Sequence, residues 1–151
     1  MKHVTIFTAI LFSLLTMIQC SSSEKATLPA GSSWELLSIT TGDGMTVAAP
    51  AAEEGEEAVS ITFGDSLQIN GYSGCNYYFG VYNQGEENSL SLEMQGITRR
   101  AGKNMEFEQQ FISALQNVKS YIIEENALIL SDSLGNQIMT FSARTEPAKA
   151  E

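Results

Sequence analysis

Beyond residue 33, apolar and polar residues alternate along most of the chain with a period of two, the repeat of a strand with one covered face. Trp34 to Ile39 opens the series. Val59, Ile61 and Phe63 alternate with polar neighbours, Gly64-Asp65 marks a turn, and Leu67 and Ile69 begin a return strand. Tyr78 to Tyr82 and Ser89 to Met94 are two further strands, separated by the polar loop Asn83 to Asn88. Tyr121 to Glu124, Ala127 to Ser131 and Gln137 to Ala143 close the series, with Glu125-Asn126 and Ser133-Leu134-Gly135-Asn136 as hairpin turns. Thr41 to Ala58, rich in Gly, Ala and Glu and carrying the acidic run Glu53, Glu54, Glu56 and Glu57, reads as a long loop or irregular edge.

One stretch changes period. Phe107, Phe111, Leu115 and Val118 recur at helical spacing, widened by Ile112, with Asn104 placed as N-cap and Glu106 and Glu108 in the first turn, where carboxylates are favoured. Seven or eight strands and one helix result, and the connections are too short for parallel crossovers. The expected fold is mainly β (α+β): a small antiparallel sheet curled into a barrel or half-barrel with one packed α-helix. Trp34 is expected to plug one end of it.

The two ends read differently. Lys2 and His3 precede an uncharged apolar stretch, Val4 to Ile18, shorter than the ~20 residues of a spanning helix, which fits the core of an export signal. The run Met17-Ile18-Gln19-Cys20 followed by Ser21-Ser22-Ser23 matches a bacterial lipoprotein signal, apart from the large Gln19. Residues 1–19 are therefore expected to be a signal peptide and Cys20 the lipidated first residue. Each buried methylene adds about 0.8 kcal/mol of membrane affinity, and two or more chains anchor durably. The lack of Asp at position 21 resembles lipoproteins sorted to an outer membrane. Residues 20–32 are expected to be a flexible tether, 33–144 the folded domain and 145–151 a frayed tail.

Composition narrows the chemistry. With 18 acidic against 8 basic residues the net charge is −10, which disfavours nucleic acid and anionic lipid head groups as partners. The one histidine, His3, leaves with the signal, so the mature chain has no His-based triad, Cys–His pair or His-ligated metal. Of the two cysteines, lipid on Cys20 would leave Cys75 unpaired, so Cys75 reads as a buried small hydrophobe ahead of a reactive thiol.

The most distinctive segment is Asn70-Gly71-Tyr72-Ser73-Gly74-Cys75-Asn76-Tyr77-Tyr78-Phe79-Gly80-Val81-Tyr82. Its glycines permit positive φ and close backbone approach, and Asn76 can fix an irregular turn. A structural corner packed with Tyr rings is the first reading and a binding site the second. Tyr72, Tyr77, Tyr78, Phe79 and Tyr82 could line a ligand mouth, a partner surface or the core.

The pattern Gly71, Gly74-Cys75-Asn76, Gly80 and Tyr82, then Ile97-Thr98-Arg99, then a helix ending Phe111-Ile112-Ser113-Ala114-Leu115, resembles the META domain, also called the HslJ-like family. Trp34-Glu35-Leu36 and Leu128-Ile129-Leu130 resemble its ends, so the likeness spans about residues 33–143. The resemblance implies a small antiparallel β domain with one helix, an envelope setting, a loose association with stress, and no established catalysis or cofactor. Members often carry a second cysteine after the threonine; Gly102 stands nearest that place here, so the resemblance implies no redox pair.

Arg99, Arg100 and Lys103, ahead of the helix, could hold an anion or simply balance the acidic loop. The acid pairs Glu86-Glu87 and Glu124-Glu125 fall in turns, where charge is ordinary. No catalytic or metal-binding set emerges and no cofactor is expected. The leading expectation is a lipid-anchored, non-enzymatic envelope protein that binds or scaffolds an unknown envelope protein or small ligand. The alternative is a small-molecule carrier using a lipocalin-like barrel interior, which requires a hollow core.

Overall fold

A computed structural model describes residues 27–144; the expected export signal, Cys20 with the expected tether up to residue 26, and the tail from residue 145 lie outside the described residues. The alternating segments form β1 (Ser32–Thr40), β2 (Thr46–Ala48), β3 (Ser60–Phe63), β4 (Gln68–Tyr72), β5 (Tyr77–Gln84), β6 (Leu90–Ile97), β7 (Ser120–Glu124), β8 (Ala127–Ser131) and β9 (Gln137–Ala143). The helical stretch forms α1 (Met105–Gln116) between β6 and β7. The strands join into one antiparallel sheet in the order β6-β5-β4-β3-β1-β9-β8-β7, with β2 also paired to β1. No helix among the described residues is long and apolar enough to cross a membrane.

The curl stops short of a closed barrel. The two end strands meet only where they begin, through the Ser89–Ser120 bridge and a Leu90 N–H bond to Lys119 O of 2.9 Å. Beyond that point α1 fills the gap, packing against β6, β1 and β9. The period-two pattern decides which residues it meets. Trp34, Leu36, Ile61, Phe63, Ile69, Tyr78, Leu128, Leu130, Met139 and Phe141 project to the inner face and are buried, and Phe111 and Leu115 of α1 close over them. Tyr78 and Phe111 pack at 5.6 Å between ring centroids, and Phe63 meets Tyr82 edge-on at 5.1 Å. Twelve of the largest core side chains are less than 2 % exposed. The interior is thus filled by side chains, and the hollow core that the carrier reading requires is absent from the described residues.

Several expectations shift in detail. Among the described residues the strands number nine rather than seven or eight, because Thr46–Ala48, inside the expected loop, pairs along β1 as a short edge. Packing also begins before the tether was expected to end: Leu28 is 5 % exposed and belongs to the core, so the fold draws in residues the composition marks as spacer. Leu67 lies outside β4, in the turn from Gly64, with φ +56° and half its surface exposed; an apolar residue in a turn mimics the strand period. Alternation leaves Leu37 facing outward, and the register shift between Leu36 and Ser38 in β1 then brings Ile39, rather than Ser38, to the core. Trp34 is buried as expected, with its indole N–H donating to Ser32 Oγ at 3.0 Å.

Phe111 is the side chain through which the helix enters the half-barrel. Phe111→Ala should lower unfolding free energy by about 3–5 kcal/mol in urea titration, with the slope unchanged.

Candidate functional site

The glycine-rich segment lies between β4 and β5, and its residues divide into those that shape the backbone and those that tie it to its neighbours. At Gly71 a Cβ would lie 2.0 Å from Ser60 O and 2.7 Å from Tyr78 Oη. That space is taken by the hydrogen bond from the Tyr78 hydroxyl to Ser60 O, 2.8 Å long. Gly80 faces the β6 backbone, a Cβ there falling 2.1 Å from Glu93 O, beside the register shift after Phe79. Gly74 has φ +97°, a left-handed conformation that any side chain would strain.

Asn76 is buried at 3 % exposure, and its amide is bonded at every position. Oδ1 accepts from the Thr98 hydroxyl at 2.9 Å and from Arg100 N–H at 2.6 Å. Nδ2 donates to Arg100 O at 3.2 Å and to Glu108 Oε1 at 2.9 Å. The reciprocal pair with Arg100 copies the exchange between facing residues of two strands, so the amide acts as one more rung for a segment that has left the sheet. Ser73 Oγ donates to Glu108 Oε2 and accepts from Asn76 N–H at 3.2 Å. Thr98 bonds Tyr77 in both directions, its N–H to Tyr77 O at 2.9 Å and its Oγ1 from Tyr77 N–H at 3.1 Å. Asn104 stands at the N-cap of α1 as expected, but its side chain does not cap the helix; it reaches across to Gly74 O at 3.2 Å.

The motif is therefore a clamp that joins the β4–β5 turn, the segment 98–104 and the first turn of α1. No buried side-chain nitrogen or oxygen among the described residues is left without a partner. The buried polar groups of the clamp are thus engaged within the protein. Gly71, Gly74, Asn76, Gly80 and Thr98 each shape or tie this corner of the fold. Tyr82 belongs to the core, with its hydroxyl 3.4 Å from Gly64 O.

Cys75 is 6 % exposed, with Sγ 3.4 Å from Arg100 O. Burial, and next the nearby Glu108, push its thiol above the ordinary range, the opposite of an activated cysteine. Gly102 sits directly over it. A Cβ there would lie 2.8 Å from Cys75 Sγ and 3.9 Å from Cys75 Cβ, the second within the span of a disulfide. The basic residues do not converge. Lys103 pairs with Glu53 at 3.1 Å, both side chains exposed, which also raises the lysine's affinity for its proton. Arg100 lies over the Tyr77 ring at 5.6 Å, and Arg99 is exposed. Glu86 and Glu87 sit in a single 3-10 turn and Glu124 and Glu125 at the β7–β8 turn, all exposed and on elements other than those of the clamp.

What sequence reasoning left unresolved is the face opposite the core. Alternation along β5 sends Tyr78 and Tyr82 inward and leaves Tyr77 and Phe79 41 % and 55 % exposed. Tyr77 packs against Tyr72 across the strands, 5.2 Å between centroids, and Phe79 occupies the space left by Gly96. Beside them the register sets Asn70 opposite Phe79, Thr62 opposite Asn70, and Ser33 opposite Thr62. A cavity of about 470 Å3 opens over this row, lined among others by Ser33, Glu57, Thr62, Asn70, Tyr77 and Arg144. A wider, open groove of about 1070 Å3 runs between the β1–β2 turn, α1 and the β8–β9 turn, with Met45 and Leu134 exposed on it.

A half-closed antiparallel sheet stoppered by one helix, with an internal polar clamp and a filled interior, is a small, mainly β domain. The META domain family model matches residues 26–145, and the chain belongs to that family. Two solved structures share the fold: a protein from Burkholderia xenovorans, 24 % identical over 83 % of this chain and 97 % of its own with a TM-score of 0.64, and a duf4847 family protein from Bacteroides vulgatus ATCC 8482, 13 % identical over 78 % and 96 % with a TM-score of 0.55. No curated protein matches the chain.

Two substitutions test the clamp. Asn76→Ala should cost about 3 kcal/mol, since it strands several partners at once, whereas an exposed Asn→Ala stays within about 0.5 kcal/mol. Gly102→Cys should close a disulfide with Cys75 under mild oxidation. Mass spectrometry should find the loss of two thiols, and the oxidised form should gain roughly 3 kcal/mol over the reduced one.

Proposed function

We propose that this META-domain protein is exported, anchored through lipid on Cys20 to the outer membrane, and acts in the cell envelope by binding, with its recognition surface on the outer face of the sheet. The anchoring rests on the apolar stretch Val4–Ile18 and the Ile18-Gln19-Cys20-Ser21 junction. One observation carries the binding reading: the exposed Tyr77 lines a polar cavity, with Tyr72 packed against it and the exposed Phe79 paired to the lining residue Asn70, while the interior is full. Recognition by a filled half-barrel has to take place on its outside. Binding rather than turnover is supported by the clamp, whose central Asn76 amide is fully bonded within the protein, and by the dispersal of the acid pairs over separate turns. A role under envelope stress, as the family likeness implies, belongs to the same reading.

The anchor is tested by feeding cells an alkyne fatty acid. The wild-type chain should label and sediment with membranes, and Cys20→Ser should do neither; equal labelling of the two would remove the anchor. The surface is tested by rescue of a deletion strain under osmotic or detergent stress. Tyr77→Ala/Phe79→Ala, both outward-facing and expected to retain the melting temperature within a few degrees, should fail to rescue. Full rescue by that variant would reject the outer face.

A further inference from the structure

Resting on the outer-face reading, we infer that the cavity over β1, β3 and β4 is a binding site for a neutral oligosaccharide. Three observations select that class. First, the lining is dense in hydroxyl and amide groups: Ser33, Thr62 and Asn70 form one cross-strand row, with the Ser33 and Thr62 hydroxyls 3.0 Å apart. Such groups match a ligand with a donor and an acceptor on each hydroxyl. One carboxylate, Glu57, and one guanidinium, Arg144, oppose each other in sign across the lining. A chain of net charge −10 around it further disfavours a polyanion.

Second, the row ends on aromatic rings. Tyr77 lines the cavity and Phe79 faces Asn70 across the strands, so an apolar surface stands next to the polar row. A pyranose is amphipathic in the same way, with a C–H face that packs on a ring and a rim of hydroxyls. A fatty acyl chain would leave the hydroxyl row unpaired.

Third, the cavity lies in the middle of the sheet. β1, β3 and β4 are each flanked by strands on both sides, so their backbone groups are already paired. A peptide cannot add there as a further strand, and only side chains remain to recognise a ligand. The volume of about 470 Å3 falls within the range of small-ligand sites.

The test is calorimetric titration of the full chain, held in a zwitterionic detergent without a sugar head group. The probes are N,N′-diacetylchitobiose, cellobiose and maltotriose, with inorganic phosphate and an unstructured acidic peptide as controls. At least one saccharide should bind in the sub-millimolar range. Asn70→Ala and Tyr77→Ala should each weaken it about tenfold or more, while Ile122→Ala, exposed on β7, leaves it unchanged. Absence of saccharide binding up to about 10 mM overturns the proposal, as does binding indifferent to Asn70 and Tyr77, or binding of phosphate or peptide alone. If saccharides fail while Tyr77→Ala/Phe79→Ala still abolishes rescue, the ligand class falls and the outer face stands.

Discussion

The amide of Asn76 holds together parts of the chain that the sheet alone would leave apart. After its last bond to β5, from Thr98 N–H to Tyr77 O, the backbone leaves the sheet and crosses to the start of α1 outside any strand. Asn76 supplies the missing partner, its Oδ1 accepting from Arg100 N–H and its Nδ2 donating to Arg100 O, and the same Nδ2 donates to Glu108 on the helix. An Asp there would lack the two donors and place a second carboxyl group against Glu108. A Gln would push the amide one carbon further into space that Arg100 already fills. Ser73 and Asn104 add independent ties from the turn to the helix and back. Because α1 stoppers the half-barrel, the clamp and the apolar core are two parts of one closure: Phe111 and Leu115 can bury only if the helix starts where Glu108 is held.

That closure bears on function. A domain of this size fills its interior with side chains, and here aromatic rings from β3, β5, β9 and α1 meet at its centre. The polar groups within are spent on the clamp. The chemistry still available lies on the outer face, where the alternation that sends Tyr78 inward sends Tyr77 and Phe79 out. The same period that builds the core thus builds the surface cluster.

Much of this was legible in the residues. The period of two gave the strands, the single change to helical spacing gave α1, and the short connections dictated antiparallel pairing. Leu67 and Leu28 were misplaced because local pattern is blind to tertiary contact. An apolar residue in a turn counts as strand, and a lone leucine in a polar spacer counts as tether. The motif residues were recognisable as structural, yet their partners were not. Glu108 carries an ordinary first-turn signature, and nothing in its spacing from Asn76 shows that the two side chains meet. The outer face needed register: Ser33, Thr62 and Asn70 come from three separate strands and become a row only when two strand pairs are aligned.

The central claim is that Asn76 and Glu108 act as one unit fastening helix to sheet. A double-mutant cycle on unfolding free energy, with Asn76→Ala, Glu108→Ala and the pair, measures it directly. The clamp predicts that the pair costs less than the sum of the singles by about 1 kcal/mol or more. Costs that add to within about 0.3 kcal/mol would show the two residues to be independent and would contradict the account.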